Sequence, residues 1–139
     1  MRAYIVISHA YMSKGVVSSI KMIAGDQTQI DFICGYVDGN QDMDRVIRTK
    51  LDSMNEYSEI IIFTDLFGGS VNNAVLRVTG QLKNIHVITG VNLTLILGIL
   101  LASEEDNIEE VIRENITEAR NGMVYCNDLT TDNNELEDF

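Results

Sequence analysis

The sequence predicts an α/β domain built on a doubly wound, mainly parallel sheet with helices on both faces. Short β-branched or aromatic runs alternate along the chain with longer segments of helical spacing. Some of these runs are apolar at every position, which is typical of interior strands covered on both sides. The 139 residues, 45% of them apolar and 22% charged, provide for one packed domain.

Four strands are predicted, at residues 3–7, 30–34, 60–63 and 85–88. Three helical segments separate them, and their apolar side chains recur every three or four positions: Val16, Val17, Ile20 and Ile23, then Met43, Val46, Ile47, Leu51 and Met54, then Ala74, Val75 and Val78. Two further helices, at 93–102 and 107–120, and a short extended piece at 123–126 follow. For a doubly wound sheet of this kind we expect the strand order 2-1-3-4.

The charge of the chain is strongly acidic, with 21 acidic and 10 basic residues and a formal net charge of −11. Binding of a phosphate backbone requires a basic face, so nucleic acid is not expected as a partner. Five of the acids fall in the last thirteen residues, which contain no Lys or Arg. We therefore expect one domain at residues 1–126 and an acidic, disordered tail at 127–139.

No targeting or membrane segment is apparent. The first residues lack a basic region followed by an apolar run and a cleavage site. The longest apolar stretch, 91–102, is interrupted by polar residues and is shorter than the roughly 20 residues that span a bilayer. We expect a cytoplasmic protein in which 91–102 is a buried helix, and the wide spacing of Cys34 and Cys126 favours free thiols.

Two segments stand where a doubly wound sheet places its ligand site, beyond the carboxyl ends of strands near the reversal of winding. Ser8 and His9 end the first strand, and residues 64–70 (TDLFGGS) lead from the third strand into a helix. If these two strands are neighbours, His9 and Asp65 face each other.

These side chains suit phosphoryl transfer. Neutral imidazole is a nucleophile near neutral pH, and a carboxylate that accepts the proton of one ring nitrogen leaves the other nitrogen free. Asp65 would orient His9 in this way. Gly68, Gly69 and Ser70 would receive the incoming dianion with backbone N–H groups, the positive helix end and a hydroxyl. Such a set requires no metal or cofactor.

Structural alternatives exist for each residue taken alone. His9 could be a hydrogen-bonded structural histidine, Asp65 a turn residue, and the Gly-Gly-Ser sequence an ordinary turn capped by Ser70. Phe67 could pack at the loop edge or contact a partner protein. His86, the other histidine, is most simply a residue of the fourth strand. Nucleotide binding has no support, because neither GxxxxGK[ST] nor GxGxxG is present.

Three ordered motifs together resemble the IIA component of the mannose-class sugar phosphotransferase system (PTS). They are Ser8-His9 after the first strand, residues 64–74 (TDLFGGSVNNA), and residues 90–93 (GVNL) after the fourth strand. The resemblance covers residues 2–126. It implies a doubly wound fold and a homodimer, which some members form by exchanging a C-terminal strand; residues 123–126 are the candidate here.

The resemblance also implies a function, that of a phosphotransferase. His9 would accept a phosphoryl group from the carrier protein HPr and pass it to a separate IIB component, which phosphorylates the incoming sugar. Asp65 would orient His9, and Ser70 would contact the phosphate. Phe67 replaces a tryptophan of some members and keeps an aromatic at the partner rim. The protein would associate peripherally with the IIC and IID membrane components, to which it is linked indirectly.

Two positions depart from the commoner family pattern. Ala10 stands where glycine often follows the histidine, and Val71 where proline often follows Gly-Gly-Ser.

Two other functions stay open: the phosphocarrier subunit of a dihydroxyacetone kinase, and a non-catalytic module in which His9 only binds an anion. The transported sugar is not encoded in a IIA component, which handles the phosphoryl group and never contacts the sugar.

Overall fold

The computed structural model describes residues 1–80 and 82–129, so residues 130–139 of the predicted acidic tail lie outside the described residues. The strands are β1 (Arg2–His9), β2 (Asp31–Gly35), β3 (Glu59–Thr64) and β4 (Ile85–Ile88). The α-helices are α1 (Met12–Ala24), α2 (Met43–Asp52), α3 (Ser70–Thr79), α4 (Leu93–Leu100) and α5 (Ile108–Asn121). The predicted alternation of strands and helices is confirmed.

All strand pairs are parallel, and the sheet order is β2-β1-β3-β4, as predicted. The chain therefore reverses its direction of winding at β1, which has β2 on one side and β3 on the other. Ile7 pairs with Thr64 at the carboxyl ends of β1 and β3. The residues that follow these two strands are consequently neighbours at the reversal point.

The sheet separates two apolar cores, because successive side chains of a strand point to opposite faces. One face of β1 and β3 packs with α1, α4 and α5 through Tyr4, Val6, Ile61 and Phe63. The other face packs with α2 and α3 through Ala3, Ile5, Ile7, Ile60 and Ile62. This double coverage explains why both central strands are apolar at nearly every position.

Three helices begin at side-chain caps, which satisfy amide groups that lack an acceptor within the helix. Asp42, Asn92 and Asn107 each accept a hydrogen bond from a first-turn amide of α2, α4 and α5, respectively. The apolar stretch 91–102 contains α4, with Leu95 and Ile99 buried, so the expected buried helix is confirmed. Among the described residues, no helix has both the length and the apolar character needed to cross a membrane.

The predicted extended piece at 123–126 is not a strand of the sheet. Residues 123–125 lie outside regular secondary structure, and a 3₁₀ helix spans Cys126–Asp128. A strand requires a neighbouring strand to accept its backbone hydrogen bonds, and in the described chain this segment pairs with neither edge strand. Exchange of the segment between two subunits stays a prediction.

Candidate active site

His9 is the last residue of β1 and lies at the carboxyl edge of the sheet. The next residue, Ala10, turns the chain away with a φ of 49° and donates its amide proton to the Gly35 carbonyl at 2.9 Å. A positive φ is uncommon for residues other than glycine. Glycine, which the family resemblance leads us to expect here, adopts such a φ freely, and Ala10 adopts it as well.

Asp65 follows β3 and accepts hydrogen bonds on both carboxylate oxygens. Its Oδ2 lies 2.7 Å from the His9 backbone nitrogen and 2.7 Å from His9 Nδ1, and its Oδ1 accepts from the Leu66 amide at 2.9 Å. Its side chain is only 8% exposed. Burial alone would raise the pKa of Asp65, but the hydrogen bonds from His9 and Leu66 outweigh it and hold the pKa below its ordinary value.

The Asp65 carboxylate determines which ring nitrogen of His9 is protonated. An ionised carboxylate only accepts hydrogen bonds, so in the neutral imidazole the proton lies on Nδ1 and Nε2 keeps its lone pair. The His9 side chain is 42% exposed. The Oγ atom of Ser70 lies 3.1 Å from Nε2, and its hydroxyl donates to that lone pair. In its neutral form, His9 therefore presents a nucleophilic nitrogen at the accessible side of its ring.

The Gly-Gly-Ser sequence leads into α3 and faces His9. Gly68 has a φ of 75°, and a Cβ at Gly69 would lie 3.2 Å from Leu66 Cβ and 3.7 Å from His9 Cε1. A Cβ at Gly69 would therefore crowd Leu66 and make an ordinary contact with the imidazole, which lies beside the start of the helix. The N–H groups of the first helical turn have no acceptor within the helix, and with the helix dipole they favour an anion.

Ser70 is the first residue of α3. The N-cap residue of this helix is Gly69, which makes no side-chain capping hydrogen bond. The alternative in which Ser70 caps an ordinary turn is therefore wrong. Its hydroxyl is directed to His9, and it also accepts a hydrogen bond from Tyr36. Val71, the second helical residue, is fully buried, so it contributes to the core.

Exposed apolar side chains surround this site. Phe67 is 88% exposed, so the alternative in which it packs at the loop edge is wrong. Leu66, Tyr11 and Met12 are exposed as well. Large exposed apolar groups that cluster around a functional site are typical of surfaces that contact another protein.

Two residues of the site were missed by sequence reasoning. Tyr36, just after β2, has its ring centroid 5.4 Å from that of His9. Asn72 is buried in α3 and accepts a hydrogen bond from the Thr64 hydroxyl at 2.7 Å, which ties the end of β3 to the helix that carries Ser70. The rule for strand ends applies to β2 as well, so it could have selected Tyr36.

His86 lies in β4, as predicted, and it pairs there with Ile61 of β3. Its Nε2 is 2.5 Å from the Glu59 carboxylate, so its polar partner is on the neighbouring strand.

Within residues 1–80 and 82–129, no three His, Cys, Asp or Glu residues are grouped to hold a metal ion. His9, Asp65 and Ser70 lie together beside the helix start that follows Gly69, and the hydroxyl and N–H donors there suit an anion.

Known proteins are similar to this chain in both sequence and fold. Residues 3–116 match the family EIIA-man, described as the PTS system fructose IIA component. A PTS mannose-specific EIIAB component from Escherichia coli strain K12 is 22% identical over 125 residues; these cover 87% of this chain but only 38% of that relative's length.

Solved structures are similar over nearly the whole chain. One from Klebsiella pneumoniae, described as a phosphoenolpyruvate-dependent sugar PTS permease, has 34% identity and a TM-score of 0.81, covering 91% of this chain and 92% of that one. A PTS component EIIA from Streptococcus agalactiae has 25% identity and a TM-score of 0.76, with 89% and 96% covered. The chain belongs to the EIIA-man family of PTS IIA components.

Proposed function

We propose that the protein is a phosphocarrier that accepts a phosphoryl group from phospho-HPr on His9 Nε2 and passes it to a IIB component. The contact between Asp65 Oδ2 and His9 Nδ1, at 2.7 Å, carries this proposal, because it leaves the exposed ring nitrogen as the nucleophile. Membership in a family of PTS IIA components supports a role in phosphoryl transfer.

In the loading step, the Nε2 lone pair forms a bond to phosphorus while the bond between phosphorus and the donor's nitrogen breaks. The electron pair of the broken bond stays on the donor. His9 becomes a phosphorylated imidazole whose Nδ1 proton remains hydrogen bonded to Asp65, and the carboxylate stabilises the positive charge that develops on the ring. No proton has to leave His9 in this step.

The phosphoryl oxygens then face the start of α3. The Ser70 hydroxyl and the first-turn N–H groups of α3 donate to them, with Gly69 as the N-cap of this helix. Positioning and charge stabilisation account for most of the catalysis of phosphoryl transfer, and these groups supply both. In the unloading step, a nucleophile of the acceptor attacks phosphorus, and the electron pair returns to Nε2.

The exposed aromatic and apolar side chains around His9 suit alternate docking of donor and acceptor. Phe67 would contact both proteins at the rim of the site.

The remaining proposals concern assembly and location. The protein would form a homodimer that exchanges residues 123–126, and it would be cytoplasmic and associate peripherally with a permease through IIB.

Labelling with phosphoenolpyruvate and the upstream carrier proteins, including HPr, tests the proposal. Wild type should give an acid-labile, base-stable phosphoprotein, and His9→Gln should give none. His86→Gln is the matched control, since it makes the same change at the other histidine, and it should label like wild type. Labelling of His9→Gln would contradict the proposal.

The acceptor distinguishes the remaining alternatives. Chase of the label onto a IIB component supports the sugar PTS, whereas chase only onto a dihydroxyacetone kinase subunit would assign the protein to that system. A wild-type chain that binds inorganic phosphate but is never labelled would be an anion-binding module.

A further inference from the structure

Tyr36 lies at the site, yet the proposed transfer mechanism gives it no role. Its hydroxyl donates a hydrogen bond to Ser70 Oγ at 2.8 Å, and its ring packs against the His9 ring at a tilt of 40°. Because β2 and β1 are parallel neighbours, with His9 paired to Gly35, the first residue beyond β2 is brought to the imidazole.

The loop after β2 holds Tyr36 in an uncommon backbone conformation. Its φ is 65°, in the left-handed region that residues other than glycine rarely adopt. The Tyr36 amide donates to the Asn40 carbonyl at 2.9 Å, and the side-chain amide of Gln41 donates to the Tyr36 carbonyl at 2.9 Å. Strained conformations that the surroundings maintain in this way cluster at functional sites.

The hydrogen bonds around His9 all run in one direction. When the His9 ring is neutral with its proton on Nδ1, Tyr36 donates to Ser70, Ser70 donates to Nε2 of His9, and Nδ1 donates to Asp65. Ser70 has a single proton, so the donation from Tyr36 occupies a lone pair of Oγ and leaves that proton for His9. Hydrogen bonds in such a chain polarise and strengthen one another.

We propose that Tyr36 is a positioning residue that acts through Ser70. This inference deepens the proposed function and rests on it. Before transfer, the Ser70 proton points at Nε2; after transfer, Nε2 is bonded to phosphorus and the proton must turn to a phosphoryl oxygen. Tyr36 holds Oγ in place while the proton turns, and it makes the Ser70 hydroxyl a stronger donor to the phosphoryl group. Tyr36 itself keeps its proton throughout.

The test is a double-mutant cycle of transfer rates from phospho-HPr. Tyr36→Phe removes the hydroxyl and keeps the ring, so it should slow transfer roughly three- to tenfold, the effect of one lost hydrogen bond. In a Ser70→Ala background the same change should have no further effect. Tyr57→Phe, which makes the same change in a half-buried tyrosine at the amino end of the sheet, should transfer like wild type.

Two kinetic outcomes would overturn the inference: a Tyr36→Phe rate equal to that of wild type, or equal slowing in both backgrounds, which would mean that Tyr36 acts without Ser70. A merely structural role would lower the thermal midpoint of Tyr36→Phe without making its effect depend on Ser70.

Nitrogen-15 NMR of His9 separates this inference from the proposed function, because it requires no phosphoryl donor. Tyr36→Phe should change the Nε2 signal, and Tyr57→Phe should not. If wild type is never phosphorylated but the Nε2 signal responds to Tyr36→Phe, the proposed function fails while the hydrogen-bonded chain stands. An unchanged Nε2 signal would refute the chain itself.

Discussion

The Oδ2 atom of Asp65 accepts two hydrogen bonds from the same residue, His9: one from its backbone nitrogen and one from Nδ1, each at 2.7 Å. The first bond positions the end of β1 relative to the loop after β3, and the second orients the ring. A single carboxylate thus sets the backbone, the rotamer and the tautomer of the histidine.

Replacing this carboxylate by its amide should impair transfer while leaving the fold intact. Asp65→Asn is nearly isosteric, but a neutral amide holds the Nδ1 proton less well and stabilises less charge on the ring. We expect phosphoryl transfer to slow roughly ten- to hundredfold, the effect of losing a hydrogen bond to a charged group. Asp128→Asn, at an exposed position, is the matched control. A wild-type rate for Asp65→Asn would remove the carboxylate from the mechanism.

The same carboxylate should give stability a defined pH dependence. Its pKa is lower in the folded state than the value of about 3.9 in the unfolded chain. The stabilisation is therefore complete above about pH 4 and is lost as pH falls through the folded pKa. Below about pH 4, the unfolding free energy of wild type should fall more steeply with acidification than that of Asp65→Asn. Parallel pH profiles from chemical denaturation would contradict this expectation.

Arg2 connects the start of the sheet to the turn before α5. It is only 7% exposed, and its guanidinium donates to the carbonyls of Ser103 at 3.0 Å and Asp106 at 2.5 Å. Arg2→Ala removes the guanidinium from both carbonyls; that of Ser103 keeps the Asp106 amide as a donor, whereas that of Asp106 loses its donor. The substitution should lower the unfolding free energy by about 2 kcal/mol. Denaturant titration measures the loss, with exposed Arg48→Ala as a control expected to stay within about 0.5 kcal/mol. Equal effects of the two variants would show that the contacts of Arg2 add little.

Two helical glycines should respond to alanine in opposite ways. A Cβ at Gly98 of α4 would lie 1.8 Å from Asn115 Oδ1 of α5, whereas a Cβ at Gly15 of α1 has nothing within 4 Å. Gly15→Ala should stabilise the protein by about 1 kcal/mol through helix propensity. Gly98→Ala should destabilise it by about 1 to 3 kcal/mol through overpacking.

The double variant of Gly98→Ala with Asn115→Ala identifies the cause of this loss. Removing the Asn115 side chain opens space for the new methyl group, so the double variant should be more stable than Gly98→Ala alone. Thermal unfolding of wild type, Gly98→Ala, Asn115→Ala and the double variant measures this coupling. If the stability changes of the two single variants add in the double variant, the close contact between Gly98 and Asn115 is not the origin of the loss.

Local sequence patterns determined the fold class and three residues of the site. Apolar runs and helical spacing depend on side chains close in the chain, and these patterns predicted a doubly wound parallel sheet. The order β2-β1-β3-β4 is expected from that type of fold and is confirmed. The rule that ligands lie at strand ends then predicted that His9 meets Asp65, and the turn into the next helix added Ser70.

Only the tertiary structure decided how the hydrogen bonds of the site are completed. Tyr36 reaches Ser70 across 34 positions of sequence, through a loop whose positive φ is maintained by its own contacts. Arg2 likewise reaches Ser103 from the other end of the chain. Such contacts depend on the register of strands and on the path of loops, which arise from the packing of the whole chain and leave no periodic pattern in the sequence.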